Sequence, residues 1–379
     1  MIKHIGRYEL LRQIGKGGMG IVYEARHTKL QKVVALKILP LEAQGDEERV
    51  ARFEREMRAA GQVKHPGFVQ ALDADEADGY LYLAMELVDG YDLARYCAQD
   101  LEGQPLPVAA ACEIIRQAST AMYHANEKGM IHRDLKPSNL MLTRDGQVKI
   151  LDLGLATFTT ENTDLVSKLT STGQVVGTLD YMSPEQVSGD RSIDHRADIY
   201  ALGATLYCLL CGEVLYPTRS FSTVLQKLQA ISKGKPSQFA ANSASWPPRL
   251  RDTVAKAIAK APEQRFNDAA ELAEQLEEFA DRSALLTLLE SEQDTVAFQA
   301  LVSTNNEKAL TKPRSDLSHV RRSSDRRRLV GGLFALGSCG LIGAWFARKW
   351  LDLGTSEQVK QSVKLDELQP SESSPFSND

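Results

Sequence analysis

HRDLKPSNLML, residues 132–142, sets a histidine, an arginine, an aspartate, a lysine and an asparagine within eight positions. Charged and amide side chains at that density rarely belong to a core, because each one costs free energy when buried without a partner. The stretch runs into a short apolar piece, "LMLT" (140–143), and a second, "VKIL" (148–151), follows across a turn at Asp145–Gly146. A polar loop feeding a small hairpin is predicted here. The patterns on either side decide the fold around it.

Upstream, alternation marks strands at "YELLRQIG" (8–15), "GIVYEARH" (20–27), "VVALKIL" (33–39), "FVQALDAD" (68–75) and "LYLAMEL" (81–87). Between the third and fourth, "EERVARFEREMRAAGQV" (47–63) has apolar residues at helical spacing. This strand-rich region ends near Val88. From about Leu93 the pattern turns helical, at "AAACEIIRQASTAMYHANEKG" (109–129), "IDHRADIYALGATLYCLLCG" (193–212), "LRDTVAKAIAK" (250–260) and "DAAELAEQLEEFADR" (268–282). The fold class is α+β and bilobal: a small β-rich N-lobe, then a larger helical C-lobe, together residues 8–280. Two lobes make a cleft at their junction, where ligands bind. The polar run falls just past that junction.

The 379 residues, 43% hydrophobic and 25% charged, suit an ordinary globular body with tails. A net charge of −5 gives no electrostatic case for nucleic acid. Five scattered cysteines suit a reducing compartment. Cys208 and Cys211 have CxxC spacing but sit in an apolar run with no second pair nearby, so they read as structural thiols. "MIKHIGRYELL" lacks the layout of a secretory signal.

The C-terminal part differs. Residues 281–328 read as a juxtamembrane linker that can start as a helix. Residues 329–347, "LVGGLFALGSCGLIGAWFA", are 19 uncharged residues in a row. As a helix they would reach about 28 Å, close to a bilayer core. A buried core helix is the competing reading, but nothing after residue 347 could cover it. Five arginines in "RRSSDRRR" (321–328) precede the span, and Arg348 and Lys349 follow it. The larger basic cluster stays in the cytoplasm. The expectation is a single-pass protein of the cell (inner) membrane, with residues 1–328 inside and an acidic, disordered tail, 348–379, outside. Gly340 and Ala344 form one small-x-x-x-small pair, which allows a homodimer.

"IGKGGMGIVY" holds Gly15, Gly17 and Gly20 in a G-x-G-x-x-G. Glycines let backbone N–H groups approach phosphate oxygens. In dinucleotide-binding folds this spacing leads from a strand into a helix; here strand pattern lies on both sides, which favours a hairpin lid. Lys37 ends the apolar run "VVALK", where an ammonium needs a partner. Phosphate oxygens are one candidate; a carboxylate on the following helix, Glu56 before Glu54, is the other.

The order G-x-G-x-x-G-x-V, A-x-K, H-R-D-x-K-x-x-N, D-x-G, x-P-E resembles the protein-kinase family, and the wording "GKGGMGIVYEA" and "DLKPSN" is most similar to bacterial eukaryotic-like serine/threonine kinases. The resemblance implies a protein-kinase-like fold, ATP as phosphoryl donor, and Mg²⁺, for which Mn²⁺ can substitute. Asp134 would orient the acceptor hydroxyl and take its proton, while Lys136 would neutralise the transferring group. Asn139 and Asp152 would ligate the metal. Leu153 stands where the family usually has phenylalanine. His132 would brace the metal-binding turn. Lys37 and Glu56 would form the phosphate-positioning pair. Adenine would meet the carbonyl of Glu86 and the N–H of Val88 behind gatekeeper Met85, between Ile14, Val22, Ala35 and Met141, with Asp92 towards the ribose. Ordinary core packing explains Val22, Ala35 and Met141 equally well.

Lys136 and Thr178 imply serine or threonine acceptors on proteins. Arg133 beside Asp134 calls for an anion, which phosphorylation of Thr170, Ser171 or Thr172 would supply. Glu185 is expected to pair with Arg265, and Asp198 to hold the catalytic-loop backbone from below. The rival reading is a catalytically weak, pseudokinase-type membrane scaffold. A small-molecule kinase is a third, against which "GTLDYMSPE" speaks.

Overall fold

The computed structural model describes residues 3–17, 20–40, 47–100, 103–151, 179–190, 192–236 and 239–290. Its first layer is a six-stranded antiparallel sheet in the order β1-β2-β3-β4-β6-β5. The strands are β1 (His4–Ile5), β2 (Tyr8–Gly17), β3 (Gly20–His27), β4 (Val33–Pro40), β5 (Ala71–Ala77) and β6 (Tyr80–Glu86). Side chains alternate across a strand. In β4, Val34, Leu36 and Ile38 therefore enter one core with Tyr8 and Tyr82, while Ala35 and Leu39 enter a second with Phe53 and Leu83. Both faces are covered, which is why "VVALKIL" reads as an unbroken apolar run.

The second core lies under α1 (Glu47–Gln62). Val50, Phe53, Met57 and Ala60 pack against the sheet. Their i, i+3, i+7 spacing is one helical face.

The chain then crosses through β7 (Gly90–Asp92) and the turn α2 (Leu93–Arg95) into α3 (Val108–Asn126). β7 joins β8 (Leu140–Thr143) and β9 (Val148–Ile150) in a three-stranded sheet. The helical lobe is completed by α4 (Pro184–Val187), α5 (Arg196–Cys211), α6 (Val224–Lys233), α7 (Phe239–Asn242), α8 (Pro248–Ala257) and α9 (Ala269–Glu277). α5 is its axle. It is buried from Ala197 to Tyr207 on every side, as expected of a helix apolar all round.

The lobes are bolted together behind the cleft. Val69 N–H donates to Ile150 O at 3.0 Å and Ile150 N–H to Gly67 O at 2.8 Å. Lys149 Nζ reaches Glu86 Oε1 at 2.7 Å.

The folded body differs from the sequence reading at both ends. Ile5 is fully buried and β1 pairs with β2, so packing starts ahead of residue 8. Residues 282–290 are helical, and Leu285 and Leu289 lie in the C-lobe core. The linker expected from residue 281 is thus, over its first ten residues, part of the domain. Among the described residues no helix is long and apolar enough to cross a membrane; the stretch 329–347 lies outside them.

Cys97, Cys112, Cys208 and Cys211 are free thiols. Burial pushes Cys97 and Cys112 up to about 12. Tyr181 donates its hydroxyl to Cys208 Sγ at 3.4 Å.

Candidate active site

Period-two alternation puts Lys37 on the same face of β4 as Ala35 and Leu39, towards α1. On α1, Glu56 follows Phe53 by three residues and shares its inward face. The two meet: Lys37 Nζ lies 2.5 Å from Glu56 Oε1, both side chains 6% exposed. Glu54, the alternative, is on the outer face, 44% exposed and near Arg58. Val22 is the cross-strand neighbour of Lys37, and Gly15 that of Val22. Gly20, at φ +145°, has no room for a side chain, since a Cβ would sit 2.3 Å from Ile38 O. Ile14 is 39% exposed at the rim of this hairpin.

On the other side of the seam, Asp134 gathers its neighbours. Lys136 Nζ donates to both carboxylate oxygens at 2.9 Å. Asn139 Nδ2 donates to Asp134 O at 2.7 Å and to Oδ2 at 3.1 Å. With its amide hydrogens spent there, Asn139 offers Oδ1, a hard oxygen donor, to a divalent cation; the chemistry fits Mg²⁺.

The loop is held from beneath by Asp198 on α5, fully buried. Its Oδ2 accepts from His132 N–H at 2.9 Å and its Oδ1 from Arg133 N–H at 2.8 Å. Burial pushes the Asp198 carboxyl up from its ordinary value, and these amides pull against that. His132, also buried, takes the Asp134 N–H on Nδ1 at 3.3 Å, which leaves Nε2 to donate to Leu151 O at 3.0 Å. It thereby ties the catalytic aspartate candidate to the residue preceding Asp152.

Arg133 takes a left-handed backbone, φ +64°. Outside glycine that conformation is strained and persists only where the surroundings impose it. Here Asp198 takes its N–H, and Gln186 Nε2 donates to its carbonyl at 2.8 Å. Its side-chain Nε is buried with no hydrogen-bond partner among the described residues.

At the hinge, Glu86 N–H donates to Gln70 O at 3.0 Å. Glu86 Oε1 accepts from Gln70 N–H at 3.0 Å and from Lys149. Ala35 pairs with Met85 across the sheet, and Met141 pairs with Asp92. Val88 is half-buried. Asp92 caps the turn that follows, its Oδ1 accepting from Arg95 N–H at 3.0 Å. Met85 and Glu56 border one small cavity, with Leu83, Phe68 and Ile150.

Arg265 spends all five N–H groups. Nη1 and Nη2 each donate to Glu185 at 2.7 Å, and the rest go to the carbonyls of Ala259, Arg196 and Lys260. These bonds join α4 to the helical lobe. Asp152, Leu153, Thr170, Ser171, Thr172 and Thr178 lie outside the described residues.

The description "Protein kinase domain" matches residues 8–277. The chain belongs to the protein kinase family. Among kinases it is 39% identical over 265 residues to serine/threonine-protein kinase pkn3 of Myxococcus xanthus, covering 68% of this chain and 47% of that one. It is 33% identical over 327 residues to PrkC of Bacillus subtilis, covering 85% and 48%. The crystal structure of the Mycobacterium tuberculosis PknI kinase domain aligns with a TM-score of 0.55 and 29% identity, over 73% of this chain and 98% of that one. The kinase fold, β-rich N-lobe and helical C-lobe, is therefore established here, as is the likeness to bacterial eukaryotic-like kinases. The chain spans about half the length of the curated relatives it matches.

Two positioning residues, Gln186 and Lys149, escaped the sequence reading. Gln186 carries a local signal: Ser183-Pro184-Glu185-Gln186 is a capping box, and Gln186 Oε1 accepts from Ser183 N–H at 3.0 Å. The Lys149–Glu86 pair has none, because its partners are 63 residues apart.

Proposed function

We propose that this chain is a serine/threonine protein kinase, transferring the γ-phosphate of ATP to serine or threonine hydroxyls of proteins, and that the helix 329–347 fixes it to the cell membrane with the catalytic lobes in the cytoplasm. The observation that carries the reading is the Asp134 carboxylate bracketed by Lys136 and Asn139, across the seam from a buried Lys37–Glu56 pair.

Phosphoryl transfer asks for positioning and charge neutralisation more than covalent chemistry. Asp134 orients the acceptor hydroxyl and receives its proton late in the transfer. Lys136, already on that carboxylate, moves its ammonium towards the phosphoryl oxygens as they arrive. Lys37, steered by Glu56, holds the nucleotide's phosphates under the glycine hairpin. The carbonyl of Glu86 and the N–H of Val88 receive adenine. Asn139 and Asp152 would hold Mg²⁺, which would neutralise the triphosphate charge. Arg133, strained and with its Nε buried, is a seat for a phosphate on Thr170, Ser171 or Thr172, so autophosphorylation there would order the segment.

Lys37, Asp134 and Asn139 together argue against the scaffold reading. The test is incubation of purified chain with labelled ATP and Mg²⁺, alone and with protein or small-molecule acceptors. The parent should label itself and a protein on serine and threonine, and Asp134→Asn should not. Label on an aminoglycoside or choline in preference to protein, or none with Mg²⁺ or with Mn²⁺ in its place, sinks the proposal. Carbonate-resistant sedimentation lost on deleting 329–347 tests the anchor.

A further inference from the structure

Residues 281–290 lie beyond the stretch that matches the family, 8–277. The helix at 282–290 nonetheless seats Leu285 and Leu289, 0% and 1% exposed, in the core that holds Ile114, Leu142 and Leu276. From there it reaches the tip of the β8–β9 hairpin. Arg282 Nη2 donates to Asp145 O at 3.0 Å. Gly146 turns at φ +75°, and a Cβ built on it would lie 3.1 Å from Leu286 Cδ2. Gln117 of α3 grips the same turn from the other side, donating to Gly146 O at 3.0 Å and accepting from Val148 N–H at 2.9 Å.

The opposite end of that hairpin is the site. Leu151 N–H donates to Asn139 O at 2.9 Å, and His132 Nε2 donates to Leu151 O. Asn139 precedes β8, and residue 152 follows β9 by two positions. β7 pairs with β8 on one side and the Gly67–Val69 segment bonds Ile150 on the other, so the flanks of the hairpin are held. Its tip is held by Gln117, Arg282 and Leu286, and the spacing of the groups at its base depends on that hold as well.

We propose that helix 282–290 is a positioning element for catalysis: Arg282 on Asp145 and Leu286 on Gly146 fix the hairpin whose base presents Asn139 and Leu151. Neither side chain touches a substrate; both act through the turn. The tip and the base are about 15 Å apart at the usual rise per strand residue, so the helix governs the metal-binding end at a distance.

The inference rests on the kinase reading, and its test separates the two. In the full chain, the double variant Arg282→Ala/Leu286→Ala is compared with Arg282→Lys and with Leu289→Ala, a core residue that is not among the atoms over Gly146. Amide hydrogen exchange of residues 143–151 needs no turnover, so it reports even if the chain transfers no phosphate. The double variant should exchange about tenfold faster at Gly146 and Leu151. It should raise the Mg²⁺ concentration for half-maximal transfer about tenfold, as the loss of outer-shell support does, with the KM for acceptor protein unchanged. Arg282→Lys should retain most of the parent's values, and Leu289→Ala should lower the melting midpoint without moving the Mg²⁺ response. The proposal is overturned if the double variant keeps both readouts within twofold of the parent, or if Leu289→Ala shifts them equally.

Discussion

The Glu185–Arg265 pair offers the sharpest test of the reasoning about charge. The Arg265 side chain is 0% exposed and that of Glu185 10%. Every guanidinium N–H has an acceptor, and two of the five go to the carboxylate. Glu185→Gln removes the negative charge and turns one acceptor into a donor, so one N–H meets another N–H and the cation is stranded. Breaking a buried pair in this way costs about 3–5 kcal/mol. For a domain of this size that lowers the melting midpoint by roughly 10 °C. Denaturant titration of parent and variant, followed by far-ultraviolet circular dichroism, measures it. Replacing both partners, Glu185→Leu with Arg265→Met, removes both charges but orphans the carbonyls of Ala259, Arg196 and Lys260. That double variant should cost less than the sum of the single changes by about 1–3 kcal/mol. A Glu185→Gln protein within about 1 kcal/mol of the parent would refute the argument, since a charge that can be stranded so cheaply was never desolvated.

Two further outcomes are expected. Lys37→Met should cut transfer at least about 100-fold, the scale on which removing one charge-stabilising contact acts, while circular dichroism shows a folded chain; transfer within tenfold of the parent would remove Lys37 from the machinery. His65 stacks near His124, ring centroids 4.6 Å apart, and burial, then His124, then Lys128 hold its pKa below the ordinary 6.5. The unfolded chain takes up that proton first as pH falls, so the stability from neutral His65 is complete above pH 6.5 and declines below it. His65 Nδ1 accepts from Gly67 N–H at 3.0 Å, in the segment that bolts the lobes together. Denaturation midpoints of parent and His65→Gln, taken between pH 5 and pH 8, should diverge in slope below 6.5; parallel curves would exclude this histidine as the source.

Much of the N-lobe was legible because its signals are local. β3 occupies the stretch "GIVYEARH" without shift, and α1 begins and ends within a residue of the pattern at 47–63. Glu56 could be preferred over Glu54 because helical spacing alone puts it beside Phe53. The catalytic loop was legible for a different reason: Asp134, Lys136 and Asn139 lie within six residues, so their chemistry is written contiguously.

α6 was not legible. Its inward face contains Lys227, 2% exposed, beside the buried Leu228 and Ile231. A lysine at a core position breaks the hydrophobic period that marks a helix. The lysine is tolerated because its ammonium reaches Asp180 and Thr218, and Asp180 is 47 residues away in the chain. The helix at 282–290 was legible only as a helical start to a linker: Leu285, Leu288 and Leu289 have the i, i+3, i+4 spacing of one face and pack on the core, but a single short stripe does not show from sequence that it docks on the folded body. In both cases the contact that fixes the element is made to residues distant in the chain. The same kind of contact positions the site, through Lys149 on Glu86 and Gln117 on Gly146. A reading built on local period therefore finds the groups that do chemistry before it finds the groups that aim them, because the first are selected by residue type and the second by where the fold happens to bring a donor to an acceptor.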